Sequence, residues 1–328
     1  MFCTVNMNLR DITAPVEREL SRFETAFAAE FGGHPSAVAE MCSHVGTFGG
    51  KKLRPVLMLL SGKAAGGIKD VHIGLAVAIE LLHTATLIHD DVLDEAELRR
   101  HRDTVNARWD NQRGILLGDY IFSRTFSVVG SLDGTGLVKE FARITSQVSL
   151  GEIMQVQNRF NAALSENEYL DIIEKKTATL FSAAGRLGAS YGGNAEHAGL
   201  LDEFGKNIGM AFQIIDDLLD LFGSENRVGK TLLSDARQGK MTLPLIRLLA
   251  DAGPAVKNEI IEILTNVPGK DAPSRIRMLF KESDAAEYTR ERAAGFITQA
   301  REKAAALPES PAKTSLLILA DFILNREF

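Results

Sequence analysis

The sequence predicts an all-α protein, a single large helical bundle with a deep central cavity. Apolar residues recur with a period near 3.6 along most of the chain, and no run alternates with the two-residue period of a half-buried strand. The breaks between periodic segments are short and built from Gly, Pro, Asn or Asp, as at Gly32-Gly33, Gly66-Gly67 and Gly192-Gly193. In order, the predicted helices lie near 12–31, 35–46, 53–66, 70–95, 111–130, 134–160, 166–192, 197–223, 242–251, 254–266, 273–283, 284–306 and 309–325. Pro55 falls in the first turn of the third, where its missing N–H costs nothing. With 328 residues, 45% of them hydrophobic, the chain can bury one large core. No Pro-rich, Ser-rich or low-complexity linker divides it, so residues 1–328 read as a single domain with its pocket between helices.

Charge narrows the function classes. A formal net charge of −6 gives no global basic field for nucleic acid or anionic lipid, so any phosphate binding must be local. The first thirty residues carry Arg10, Asp11, Glu17, Arg18 and Glu19 and no signal-peptide core. No later uncharged run approaches the roughly 20 residues of a membrane span, and a cytoplasmic enzyme is expected. Cys3 and Cys42 are too few for a disulfide framework and lack metal-ligand spacing.

The chemistry is concentrated in ELLHTATLIHDDVLDEAELRRHR, residues 80–102. Asp90 and Asp94 fall about 40° apart on one helical face, with Asp91 about 100° round from Asp90. Among Leu81, Leu82, Leu87, Ile88, Val92 and Leu93 these anions would repel one another unless cations compensate them. Oxygen-only ligands suit Mg²⁺, which takes one or two protein carboxylates and fills its other positions with water and substrate phosphates. The spacing returns in GMAFQIIDDLLDLFG as Asp216, Asp217 and Asp220. One acidic triplet is as often a solvated helix face; two in apolar helices point to a metal-bridged phosphate site.

Basic residues supply the counter-charge. GGKKLRP, from Gly49 to Pro55, opens an apolar helix whose amino end favours an anion, and Lys51 and Arg54 add a point charge and a bidentate fork. His83 lies two turns before Asp90 on nearly the same face, whereas His89 adjoins the motif without sharing it. Arg99 and Arg100 point in different directions and would serve separate phosphates. Glu152 and Gln155 lie one turn apart on a mostly apolar helix, where core hydrogen bonding is the safer assignment. Lys176 and Thr177 interrupt another apolar surface, Gln213 precedes Asp216 by one turn, and Lys230 and Lys240 lie in Gly-containing loops beyond the second triplet.

Taken together, GGKKLRP, HDDVLD with the following Arg pair, KT, and FQIIDDLLD with the following GK resemble the trans-isoprenyl (polyprenyl) diphosphate synthase family, most like its long-chain, octaprenyl-type members. The match runs from about residue 49 to 244. The resemblance implies an isoprenoid-synthase helical bundle and a metal set of Asp90, Asp91, Asp94, Asp216, Asp217 and Asp220, holding three Mg²⁺ per active site with substrate bound. It implies an allylic diphosphate site lined by Arg99, Lys176, Thr177, Gln213 and Lys230. Isopentenyl diphosphate would be held by Lys51, Arg54, His83 and Arg100, and Lys240 matches a recurring lysine of less defined role. The catalytic group is then Asp90, Asp91, Asp94, Lys176, Asp216 and Asp217. The implied reaction is ionisation of the allylic diphosphate, attack by the isopentenyl double bond, and proton loss, in a homodimeric enzyme. Catalysis of this kind rests on charge stabilisation and positioning away from water.

The chain departs from the family in His101 and Asp103, where Gly and Pro are common, in Thr231, where Pro is common, and in Lys52, which replaces the commoner Arg. Ala85 and Thr86, one turn upstream of the first aspartate, are small where short-chain C15 members often carry aromatic rings. That implies a product longer than C15, of about C30 to C45, with a C20 geranylgeranyl diphosphate synthase as the alternative. Leu82 and Ile79 continue this stripe, and Phe122, Phe126 or Phe141 are candidates for the cavity floor. A terpene cyclase would not need the Lys51, Arg54, His83 and Arg100 set, and a non-catalytic subunit of a heteromeric synthase need not retain both triplets.

A metal-bridged diphosphate site has a direct test. Chelation should stop turnover, and Asp91→Ala and Asp216→Ala should each lower the rate by about two orders of magnitude or more while circular dichroism stays unchanged. Near-normal rates in either variant would remove that carboxylate from the site.

Overall fold

The computed structural model describes residues 9–132, 135–194, 196–222, 234–265 and 272–326. Its helices are α1 (Leu9–Thr13), α2 (Glu17–Ala29), α3 (Ser36–Gly46), α4 (Leu53–Ala64), α5 (Asp70–Leu93), α6 (Val105–Arg108), α7 (Asn111–Leu132), α8 (Thr135–Gln157), α9 (Glu166–Ile173), α10 (Thr179–Gly192) and α11 (Glu196–Phe222). They continue as α12 (Ser234–Arg237), α13 (Leu243–Asp251), α14 (Pro254–Thr265), α15 (Ala272–Lys281), α16 (Ala285–Ala305) and α17 (Pro311–Leu324).

The all-α expectation holds with local corrections. The first predicted helix is broken by a 3₁₀ turn, Ala14–Val16, around Pro15, whose ring cannot continue an α-helical ladder. The segment 166–192 is interrupted by a π-helical turn, Glu174–Ala178. The expected absence of strands fails at one ribbon, β1 (Leu98–Arg99) paired antiparallel with β2 (Arg102–Asp103) in the register Leu98↔Asp103 and Arg99↔Arg102. Two-residue strands are too short to show a period. The single-turn helices α6 and α12 escaped prediction for the same reason.

Two helices are apolar nearly all round and form the centre. On α4 every residue from Leu53 to Gly62 is buried. On α5 burial extends over Leu75–Leu82, Ala85 and Ile88. Among the described residues α5 is the one helix long and apolar enough to cross a membrane. Two-thirds of it is buried within this bundle, however, and it carries Glu80, Asp90 and Asp91, so it is a core helix. Helix α7 packs against α5, α10 against α4 and α11, and α16 against α11.

Close approach is bought with glycine at two of these seams. Between α10 and α11, a Cβ at Gly185 would strike the carbonyl oxygen of Leu201. Along α5 and α7, Val92 lies over Gly114, His89 over Gly118 and Leu132 over Gly74, which fixes an antiparallel register. Ala85 is therefore level with Ile121 and Phe122, and Leu82 with Thr125. Phe122 and Phe126 pack with tilted rings 5.4 Å apart between centroids, and Phe141 on α8 is fully buried.

Candidate active site

Both acidic triplets lie at the carboxyl ends of long helices. Asp90 and Asp91 occupy the last turn of α5, and Asp94 caps it, its N–H donating to the Asp90 carbonyl at 2.8 Å. The β ribbon then reverses the chain. Its turn residues Arg100 and His101 have φ of 52° and 63°, the left-handed pair that a tight hairpin between twisted strands requires. The reversal places Arg99 on Asp91: Nε donates to both carboxylate oxygens at 2.8 and 2.9 Å, and Nη2 lies 2.7 Å from Oδ1. Asp91 is only 2% exposed, so Arg99 is committed to a buried, forked ion pair.

Asp94 is gripped from the other side. Lys240 Nζ donates to Oδ2 at 2.6 Å and Arg159 to Oδ1 at 3.1 Å, while Gln238 donates to its carbonyl at 2.9 Å. Lys240 also lies 3.3 Å from Asp235. Burial alone would lower the Lys240 pKa, but Asp235 and Asp94 outweigh it and raise it, so the ammonium persists. Asp90 faces Lys176 at 3.6 Å, and Lys176 also contacts Glu152 and donates to Gln155 Oε1 at 2.7 Å. The pair Glu152 and Gln155 thus belongs to the site rather than to core hydrogen bonding alone.

On α11, Asp217 is buried and accepts from Tyr169 Oη at 2.6 Å and Gln213 Nε2 at 2.7 Å. Asp220 accepts from Ser234 Oγ at 2.8 Å and the Asp235 N–H at 3.2 Å. Asp216 is the more exposed of the three and faces Arg326 at 3.4 Å. Thr177 Oγ1 donates to Gln213 Oε1 at 2.8 Å. Consecutive residues of the π-helical turn therefore reach the two triplets, Lys176 toward Asp90 and Thr177 through Gln213 toward Asp217.

The second basic group lies beside Asp216. Arg54 is buried with its guanidinium 4.4 Å from the Phe181 ring centre, and its Nε has no hydrogen-bond partner among the described residues. Burial, aided by Arg100, brings its pKa down to about 10. Lys51 lies over the Phe322 ring at 5.0 Å, and burial with the nearby Arg326 lowers its pKa. The Arg100 guanidinium rests on Gly50, where any Cβ would collide with it. Burial and the cations Arg54, Arg99, Arg100 and Lys52 push His83 well below its usual range, leaving a neutral imidazole at pH 7. His89 turns away, its Nε2 3.1 Å from the Ile115 carbonyl.

Lys230 and Thr231 lie outside the described residues. Sequence reasoning missed Arg159, Tyr169, Asp235 and Arg326. Arg159 lies four residues beyond Gln155 in GEIMQVQNRF, residues 151–160, and charge in that apolar run was its signal. Tyr169 reads as an ordinary core aromatic, and Arg326 lies more than 100 residues beyond Asp216 with no local pattern to connect them.

Among the described residues no three His, Cys, Asp or Glu side chains converge closely enough to hold a metal unaided. The donor set still fits a hard divalent cation, because Mg²⁺ needs only one or two protein carboxylates when phosphate oxygens and water complete its shell. Carboxylates with flanking cations thus lie next to a second cationic cluster of Lys51, Arg54 and Arg100.

The chain belongs to the polyprenyl synthetase family, whose sequence profile matches residues 35–282, and it is a polyprenyl diphosphate synthase, a trans-prenyltransferase. It is 35% identical to an all-trans-nonaprenyl-diphosphate synthase (geranyl-diphosphate specific) of Rhodobacter capsulatus, over 97% of this chain and 98% of that protein. A short chain isoprenyl diphosphate synthase of Methanothermobacter thermautotrophicus is 38% identical over 89% and 91%. The crystal structure of a Caulobacter crescentus polyprenyl synthase with calcium and isoprenyl diphosphate superposes with a TM-score of 0.93, at 30% identity over 99% of both chains.

Burial and the nearby Asp235 push the Asp217 carboxyl well above the usual range, against the Tyr169 and Gln213 hydrogen bonds that favour its anion. A carboxyl raised in the folded state costs stability progressively as pH climbs from its unfolded value through its folded one. Asp217→Asn should therefore raise the thermal midpoint in chelator at neutral pH by about 2 °C or more. The gain should shrink toward acid pH while activity is lost. A midpoint that falls at neutral pH would show that the anion is stabilising.

Proposed function

We propose that this synthase makes a long-chain polyprenyl diphosphate, of about C30 to C45, from an allylic diphosphate and isopentenyl diphosphate. The observation that carries the length is the pair Ala85 and Thr86. Ala85 is buried and level with Ile121 and Phe122, and the Thr86 hydroxyl turns back to the His83 carbonyl at 2.8 Å. Neither side chain presents a ring to a chain growing away from Asp90. The nonaprenyl synthase similarity favours the same length; the short chain relative keeps a C20 product as the second reading.

In this reading Asp90 and Asp216 offer oxygens to Mg²⁺, as does Asp94 when Lys240 and Arg159 turn from it to the diphosphate, while Asp91, Asp217 and Asp220 are held by Arg99, by Tyr169 and Gln213, and by Ser234. Three bound Mg²⁺ would supply positive charge to the departing diphosphate. Lys176, Lys240 and Arg159 would add donors to it, and Lys51, Arg54, His83 and Arg100, with Arg326, would hold isopentenyl diphosphate. The allylic C–O bond breaks with its electron pair leaving on oxygen. The isopentenyl double bond then attacks the allylic carbon, and the resulting cation loses a proton to the released diphosphate acting as base. The enzyme is assigned to the cytoplasm.

A homodimer is also proposed. Ile115 and Leu116 on α7, with Ile153 and Val156 on α8, are exposed at the same end of the α7–α8 hairpin, and apolar surface of this kind favours a self-complementary interface. A fully active monomer at micromolar concentration in sedimentation would refute it.

Incubation with Mg²⁺, labelled isopentenyl diphosphate and an allylic primer should give products beyond C15. Thr86→Phe should shorten them while sparing the first condensation. A wild-type enzyme that stops at C15, or an unchanged product length in Thr86→Phe, overturns the long-chain reading without touching the reaction class.

A further inference from the structure

Lys52 follows Lys51 in the basic loop but turns the other way. Its φ is 48°, in the left-handed region, where it precedes the first turn of α4. Its ammonium lies 4.3 Å from the ring centre of Phe27 on α2 and donates to Glu80 Oε1 on α5 at 3.0 Å. The Glu80 side chain is 8% exposed and that of Lys52 19%, so the pair is shielded from water. Glu80 also acts beyond its direct partner. It is the leading acid that opposes the downward pull of burial on Arg54, and it opposes the effect of Arg99 on Arg100. A cavity of about 20 Å³ adjoins the pair, lined in part by Lys52, Glu80, Thr84, Asp91, Arg99 and Arg100, with room for about one water among polar groups.

Five cations, Lys51, Lys52, Arg54, Arg99 and Arg100, therefore serve one small region. At the effective dielectric of a protein interior, unit charges several ångströms apart repel by more than thermal energy. Arg99 is neutralised by Asp91. For the remaining four, Glu80 is a carboxylate fixed on a core helix, behind the loop that carries Lys51 and the first turn of α4 that carries Arg54.

We propose that Glu80 is a positioning residue of the isopentenyl diphosphate pocket. It holds Lys52 out of that pocket and offsets the repulsion between Arg54 and Arg100, so that Lys51, Arg54 and Arg100 stay aimed at the substrate. This rests on the assignment of those residues to isopentenyl diphosphate. Lys52 is on this account an anchor that ties the loop to α2 and α5, not a phosphate ligand.

The test uses the full-length enzyme, with isopentenyl and allylic diphosphates titrated separately and thermal midpoints recorded. Glu80→Gln keeps the shape and removes the charge. It should raise KM for isopentenyl diphosphate about tenfold, the scale of losing a hydrogen bond to a charged group, and leave the allylic KM within about twofold. Lys52→Met should do the same, and the double variant should be no worse than either single one, because the two residues act as a unit. Lys52→Arg should retain the wild-type constant. If Lys52 were instead a phosphate ligand opposed by Glu80, Glu80→Gln would lower the isopentenyl KM. That result, an unchanged KM with only a lower midpoint, or multiplicative losses in the double variant, overturns the proposal. Lys51→Ala is the control: if it leaves the isopentenyl KM unchanged, the underlying site assignment fails, and that failure is separable from a failure at Glu80.

Discussion

Carboxylates gathered at the carboxyl ends of buried helices are the constraint on which this molecule depends. A helix carboxyl end carries partial negative charge, so Asp90, Asp91 and Asp94 on α5, and Asp216, Asp217 and Asp220 on α11, stand where anions are disfavoured and cations attracted. Burial in a low-dielectric bundle sharpens both effects. The surrounding structure answers with Arg99, Arg159, Lys176, Lys240 and Arg326, each brought from a different part of the chain. The site is thus electrostatically strained in the protein alone and disposed toward a polyanion accompanied by cations, which is the chemistry of its family.

The six aspartates are not equivalent. Asp91 and Asp217 are almost inaccessible, with both oxygens accepting hydrogen bonds from fixed side chains, whereas Asp216 lies at the open edge of the site. A carboxylate held in this way stiffens its neighbour on the same turn. In each adjacent pair one carboxylate is fixed by side-chain donors, and its neighbour, Asp90 or Asp216, is the more exposed.

Much of this was legible in sequence. Periodicity located the long helices to within a few residues, since a 3.6-residue stripe repeated over five or more turns leaves little ambiguity. The doubled aspartate spacing and the KT pair could be read because their geometry is local to single helices, and the structure links them through Lys176 to Asp90 and through Thr177 and Gln213 to Asp217. Contacts between distant segments were not legible: the forked ion pair of Arg99 with Asp91 depends on the ribbon, and nothing near Arg326 announces that it reaches Asp216. The ribbon itself, with Arg100 and His101 in left-handed conformations more typical of Gly or Asn, runs against residue preference, and such tertiary override leaves no trace in a pattern of apolar residues.

The π-helical turn at Glu174–Ala178 has a consequence for how this enzyme can change over evolutionary time. The Thr179 N–H returns to the Glu174 carbonyl five residues back, so this turn accommodates one residue more than an α-helical turn would. Removing a residue there would restore ordinary helix, yet rotate everything on one side by about 100° relative to the other. Tyr169, which holds Asp217, and Phe181, which supports Arg54, would then no longer both face inward. The extra residue lets the two flanking helices be read in separate frames, so a lineage that has adopted it can change the exposed positions of either flank but cannot shorten the segment between them.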